Sequence, residues 1–177
     1  MKELLERVLN VAQLKGATYA DVRLVHNETE SIAVKNGVVE ALEHSEDQGL
    51  GVRVVAEGAW GFAASAVLTE AEAERVAALA VSIAKASALT KIEPVDIGPP
   101  VVSRGAYQTP FVTDPFTVPL ERKIETLIKA DSLMRQAPGV KVAQGTMTFI
   151  RERKTFASTE GSWLEQEIVE SGCGLTA

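Results

Sequence analysis

Two short glycine turns do most to limit what this chain can become. Ser31-Ile-Ala-Val-Lys35 runs into Asn36-Gly37 and leaves through Val38-Val-Glu-Ala-Leu42. Gly49-Leu-Gly-Val-Arg-Val-Val-Ala56 runs into Glu57-Gly58 and leaves through Ala59-Trp-Gly-Phe-Ala-Ala-Ser65. A two-residue hairpin loop needs positive φ at both central positions, and Asn-Gly is the pair that meets this at least cost. Such a loop also sets the register. Val34 then faces Val39 and Ile32 faces Ala41, four residues expected to share one apolar face; Val55 faces Trp60 and Arg53 faces Phe62.

Helices flank these hairpins. Leu4, Leu5, Val8, Leu9, Val11 and Ala12 fall at helical spacing over residues 2–15, with Gly16 as a stop. Over residues 69–88, Thr69 and Glu72 form a capping box and Val76, Leu79, Ala80, Ile83 and Ala84 a buried stripe. A third helix starts near Pro119, carries Leu120, Ile124, Leu127, Ile128 and Met134 on one face, and ends at Pro138-Gly139. Strands are expected at about 140–151, 154–158 and 163–170, with a turn at Glu160-Gly161. Between Pro94 and Pro119 lie six of the seven prolines, without apolar periodicity, so this stretch reads as an extended connector. The expected fold is α+β: antiparallel hairpins packed with three helices, in two helix-plus-hairpin halves joined by the Pro-rich crossover. The divisions are 1–90, 91–118 and 119–177.

The two halves resemble each other. Asn36-Gly37-Val-Val-Glu40 is followed by Gly49-Leu-Gly51, and Glu160-Gly161-Ser-Trp-Leu164 by Gly172-Cys-Gly174. Each copy is a glycine turn, an acidic strand and a Gly-x-Gly restart, preceded by a helix. On this reading the second copy stops three residues into a strand, and the chain is expected to continue beyond Ala177.

Charge and composition narrow the function classes. A net charge of -6 and a sequence pI near 5.1 disfavour direct nucleic-acid binding, which needs a surplus of Lys and Arg. No run approaches the roughly 20 apolar residues of a membrane span. The single cysteine, Cys173, allows no intrachain disulfide and lies between glycines with no His or Cys near it. These features together lead to the expectation of a cytoplasmic protein.

No complete active site is visible. His26 and His44 lack the spacing of a metalloprotease helix motif, and the Asn36-Gly37 register sets them on opposite faces unless a bulge intervenes. Gly49-Leu-Gly51 lacks the third glycine and the helix of a nucleotide loop, so it reads as a strand start. Glu40, Glu43, Glu46 and Asp47 form an acidic patch that nothing buries. Arg53, among Val52, Val54 and Val55, needs a partner: a carboxylate of this chain, or the carboxylate end of a bound peptide. Trp60 and Phe62 read first as hairpin core. Arg53, Trp60 and Phe62 are nonetheless the candidate substrate-binding residues; no catalytic residue or metal ligand is assigned.

Ala20-Asp-Val-Arg23, Asn36-Gly37-Val, Gly49-Leu-Gly-Val-Arg53-Val, Gly58-Ala-Trp-Gly-Phe-Ala63 and Ala84-Lys-Ala-Ser87 together resemble the N-terminal domain of the TldD/PmbA metalloproteases, once labelled modulators of DNA gyrase. Asp114-Pro, Val118-Pro-Leu-Glu-Arg-Lys-Ile124 and Phe156-Ala-Ser-Thr-Glu-Gly-Ser162 resemble the TldD side more than the PmbA (TldE) side. The resemblance implies zinc in the full-length protein, held by a downstream His-Glu-x-x-x-His motif and a cysteine. Neither is matched here, and Cys173 does not stand at that cysteine's position. It further implies a heterodimer with a PmbA/TldE-like subunit and flexible peptide substrates. This chain would supply chamber wall and partner contacts. The alternative is a non-catalytic PmbA/TldE-like subunit or peptide-binding module.

Overall fold

The computed structural model describes residues 1–177. The chain is α+β, with three helices and a six-stranded, mostly antiparallel sheet ordered β3-β2-β1-β5-β6-β4. The elements are α1 (Lys2–Leu14), β1 (Tyr19–Lys35), β2 (Val38–Ala56), β3 (Ala59–Ser65), α2 (Glu70–Ala88), β4 (Arg104–Gln108), α3 (Leu120–Arg135), β5 (Gln144–Ser158) and β6 (Trp163–Thr176). Backbone bonds from Trp163 N to Ser103 O and from Thr109 N to Glu167 O show that β4 runs parallel to β6.

Both glycine turns form as expected. Asn36 and Gly37 take φ of 50° and 82°, Glu57 and Gly58 take 52° and 72°. The second hairpin has the expected register, Val55 opposite Trp60 and Arg53 opposite Phe62. The strands differ from expectation in length. The pieces expected at 140–151 and 154–158 are one strand, β5, and Gly49-Leu-Gly51 lies inside β2 rather than at a strand start. Glycine weakens a strand interior, but Gly51 is paired on the β3 side, opposite Ala64, which offsets that cost. The Pro-rich stretch also holds a strand, the fully exposed β4, and a single 3-10 turn at Pro115–Thr117. Proline is tolerated around edge strands, and β4 is one.

The chain divides into two compact units, each assembled from separated segments. The first comprises residues 1–26, 47–107 and 153–166. Its core holds Leu5, Val8 and Ala12 of α1, Ala20, Val22 and Leu24 of β1, Val52 and Val54 of β2, and Ala73, Val76, Ala77, Ala80, Val81 and Ala84 of α2. Leu79 and Ile83, expected in the buried stripe, are 41% and 38% exposed. The face of α2 that meets the sheet is the alanine face. Gly61 of β3 explains this choice. A Cβ at Gly61 would stand 2.1 Å from the Ala80 carbonyl oxygen and 2.5 Å from the Ala84 nitrogen. The helix backbone rests on the strand backbone, and only small residues fit there. Half of the expected capping box forms: Thr69 Oγ1 accepts from Glu72 N at 3.3 Å. The Glu72 carboxylate turns to Arg75, whose hydrogen bonds, with one from Ser65, hold it down to about 2.

The second unit comprises residues 27–46, 108–152 and 167–177. Its apolar centre is small: Ile32 and Val34 of β1 with Leu127 of α3, and Leu120, Ile124, Ile128 and Met147 partly buried around them. Val39 and Ala41, expected to share this face, are exposed, as is the whole of β2 from Val38 to Gln48. The unit is held as much by charge as by apolar contact: Lys123 Nζ meets Glu30 at 2.5 Å, and both side chains are mostly buried.

Gly61→Ala is expected to cost about 3 kcal/mol, at the upper end for overpacking, because backbone on both sides has to move. Urea unfolding checks this. A midpoint within error of the unsubstituted chain contradicts the close α2–β3 approach.

Candidate functional site

Residues 19–23 of β1 alternate. Ala20 and Val22 point into the core, while Tyr19, Asp21 and Arg23 share the other face. Asp21 is 1% exposed there. A buried carboxylate survives only if charges and donors replace water. Asp21 Oδ2 takes Arg53 Nε at 2.8 Å, Arg53 Nη2 at 2.7 Å and the Tyr19 hydroxyl at 3.0 Å. Of the two partners open to Arg53, the carboxylate of this chain is therefore present. The guanidinium also lies 4.9 Å from the centre of the Trp60 ring, and Tyr19 meets that ring edge-on at 6.1 Å. Trp60 and Phe62 are not core residues: they are 39% and 59% exposed, on the sheet face away from α2. Arg53, Trp60 and Phe62 thus come together as one surface, built on the Asp21–Arg53 pair.

The hairpin register alone does not bring Asp21 to Arg53. Continued unbroken from Asn36-Gly37, it sets Asp21 opposite Val52 and leaves Arg53 on the other face. The observed pair requires a shift of one residue between β1 and β2, which is what a bulge does. The same shift accounts for a second grouping. Glu28, His44 and Glu46 present ligand-capable atoms within 4.8 Å of one another, where the unbroken register opposes Glu28 to Ser45. These residues do not fit the zinc that the sequence resemblance implies. Glu28 is already bound by Arg151 Nη1 at 2.8 Å, His44 and Glu46 are exposed, and the group holds a single imidazole.

Arg151 is the second unit's central charge, with 9% of its side chain exposed. Besides Glu28 it takes Asp114 through Nη2 at 2.5 and 2.6 Å, and its Nε lies 3.5 Å from Glu167, an ion pair rather than a hydrogen bond. The Phe116 ring stacks 4.3 Å from the guanidinium. Asp114 also caps the short turn, accepting from Phe116 N at 2.9 Å. Sequence reasoning reached Asp114-Pro only as a family signature. No local pattern joins positions 28, 114, 151 and 167, and only the strand order brings them together.

In the first unit a cleft of about 500 Å³ is lined by Lys2, Glu6, Arg104, Ser158, Ser162 and Trp163 among others. Arg53, Trp60 and Phe62 do not line it. The buried Ser158 hydroxyl has no hydrogen-bond partner, while Ser162 Oγ accepts from Ser103 N and donates to Val101 O, tying the Pro-rich segment down. Cys173 is exposed. No helix is long and apolar enough to cross a membrane.

The α+β fold that carries this internal Asp–Arg pair recurs in a known class of proteins. Residues 20–84 match the family model for PmbA/TldA metallopeptidase domain 1. The metalloprotease MJ0996 of Methanocaldococcus jannaschii is 26% identical over 166 residues, which cover 94% of this chain and 36% of that protein. The chain therefore spans little more than a third of its curated relative. A putative modulator of DNA gyrase from Bacteroides thetaiotaomicron has the same fold, with a TM-score of 0.72 at 14% identity over 98% of this chain and 39% of that one. TldE from Thermococcus kodakarensis matches with a TM-score of 0.62 at 11% identity, over 97% of this chain and 37% of that one. Over residues 20–84 the chain is thus similar to the first domain of the PmbA/TldA metallopeptidases, and along most of its length to a metalloprotease.

Burial first, and then the Asp21 charge, push the Tyr19 hydroxyl above its ordinary value near 10. An unfolded tyrosine ionises earlier, so above that pH the unfolded state binds fewer protons and stability falls as pH rises. Tyr19→Phe is expected to remove that extra fall, and urea midpoints of both forms on either side of this pH measure it. The two arginines are expected to rank. Arg151→Ala strands mostly buried carboxylates and costs about 4 kcal/mol. Arg53, 41% exposed and sharing Asp21 with Tyr19, costs about 2 kcal/mol on replacement by Ala. The reverse order in urea unfolding contradicts this assignment of burial.

Proposed function

We propose that this chain is the N-terminal region of a TldD-type zinc metallopeptidase acting on flexible peptides. It supplies chamber wall and partner contacts while the zinc site lies in the part of the protein that follows. Residues 119–177 are then the start of that catalytic region. The observation that carries this reading is the match of residues 20–84 to the first domain of the metallopeptidase family, in a chain that spans 36% of a metalloprotease relative. The absence of a His-Glu-x-x-x-His motif from the 177 residues agrees with it. A heterodimer with a TldE-like subunit is the assembly proposed, in the cytoplasm, with no role for nucleic acid or membrane.

Arg53, Trp60 and Phe62 are the proposed contact surface. Arg53 is held rigid by Asp21, so its outer face and the two exposed rings present a pre-organised patch, with little side-chain entropy left to lose on contact. Trp and Arg are the residue types that concentrate binding energy at such surfaces. Flexible substrate or partner chain would lie across β3, and the carboxylate end of a peptide would reach Arg53 from the side away from Asp21.

The chain alone, dialysed and analysed for metal, is expected to hold no stoichiometric zinc and to leave casein intact. Retained zinc with cleavage contradicts the proposal. A His-Glu-x-x-x-His motif in the sequence that follows separates the TldD reading from the non-catalytic TldE-like alternative. Phe62→Ser is expected to weaken capture of a TldE-like subunit or of unfolded casein, with an unchanged unfolding midpoint because the ring is mostly in solvent.

A further inference from the structure

Within the second unit, β2 from Val38 to Glu46 has a neighbour on one side only. In the sheet order β2 lies between β1 and β3, and β3 pairs with it only from Leu50, opposite Ser65, to Ala56. Before Leu50 no strand stands on that side, so alternate N–H and C=O groups of Val38–Glu46 point outward without a strand partner. All nine side chains of the segment are exposed. Such an edge is a template for another strand, and proteins that do not use one blunt it with proline, lysine or very short length. The segment has no proline and no lysine and keeps strand conformation throughout, and the charges it carries are glutamates, which leave the edge open to a basic strand.

The chemistry of the edge selects its occupant. Val38–Glu46 carries Glu40, Glu43 and Glu46 with no Lys or Arg, and Glu43 and Glu46 fall on opposite faces by alternation. Lys35, from β1, lies 3.7 Å from Glu40, and His44 Nε2 lies 3.6 Å from Glu46. Val38 and Leu42, 67% and 48% exposed, offer apolar contact between the carboxylates. Pairing with a second copy of this chain would set these glutamates against their own counterparts, and like charges opposed across strands destabilise. An extended segment with Lys or Arg alternating with apolar residues satisfies both the backbone and the charges. We propose that the outer edge of Val38–Glu46 docks a basic, extended peptide segment by strand addition. The proposal concerns this surface alone and holds whether or not the protein hydrolyses peptides.

The test separates backbone pairing from charge attraction. A labelled peptide of about eight residues, the length of an ordinary strand, alternates Lys and Val. It is titrated against the chain by fluorescence anisotropy, alongside the same peptide N-methylated at every second amide and a Glu–Val counterpart. Amide hydrogen exchange is followed with and without the Lys–Val peptide. The expected result is saturable binding of the Lys–Val peptide with new protection confined to Val38–Glu46. N-methylation is expected to weaken it about tenfold or more, since it removes hydrogen bonds and keeps the charge. Glu40→Lys with Glu43→Lys, both exposed, is expected to leave the unfolding midpoint unchanged and to shift preference to the Glu–Val peptide. Equal binding of the N-methylated peptide, or protection elsewhere, overturns the proposal, as charge alone then explains the binding. A dimer that already protects Val38–Glu46 without peptide also overturns it and assigns the edge to a second copy. Exchange on the unsubstituted chain decides the matter even if the charge-reversed variant fails to fold.

Discussion

The first unit depends on how closely α2 approaches β3. With Gly61 under Ala80 and Ala84, the helix axis sits lower than larger side chains would allow, and the choice of core residues follows from that. An alanine face buries little area per residue, so the contact relies on many well-fitted atoms rather than a few large groups. The leucine and isoleucine of α2 consequently turn outward, where their burial cannot contribute. α1 packs on α2 in turn, and Arg7 reaches from α1 to Glu70 and Glu74. These pairs are exposed and contribute little beyond orientation.

The second unit solves a different problem. A cluster of three fully buried apolar side chains is small for a unit of fewer than eighty residues. Arg151 and Lys123 fill that deficit by bringing carboxylates from β1, β6 and the turn after β4 together, with the Phe116 and Phe149 rings against the cations. A buried ion pair adds modest net stability but a strong penalty for any arrangement that leaves a charge alone. The network therefore selects one docking of these segments rather than supplying most of the free energy.

The parts legible in the sequence were those set by local chemistry. Asn36-Gly37 and Glu57-Gly58 declare primed turns through the φ angles they allow, and the second hairpin's register follows from loop length alone. The three helices were legible from apolar spacing and caps. What local chemistry does not encode is a one-residue slip within a long hairpin, and the Asp21–Arg53 pair depends on that slip. Once Asp21 holds Arg53, Trp60 can lie against the guanidinium on the outer face instead of in the core, which reverses the simplest reading of an aromatic hairpin. Arg151 was missed for a related reason: two of its three carboxylate partners, Glu28 and Asp114, lie more than thirty positions away, and only the strand order brings them to it. Pairings of that separation leave no trace in a window the length of one element.

Stability is thus unevenly distributed along single strands. β2 begins as an exposed arm with no apolar burial from Val38 to Gln48 and ends at Leu50, Val52 and Val54 in the core of the first unit. A continuous strand carries its hydrogen-bond geometry from the anchored end into the exposed one, so the arm stays extended without a core of its own. Segments with few buried contacts open at low free-energy cost. A segment held by β1 and the Asn36-Gly37 turn and open along its other edge is ordered enough to present its backbone to an incoming strand. That combination lowers the entropy lost on pairing, because one of the two strands is already in place.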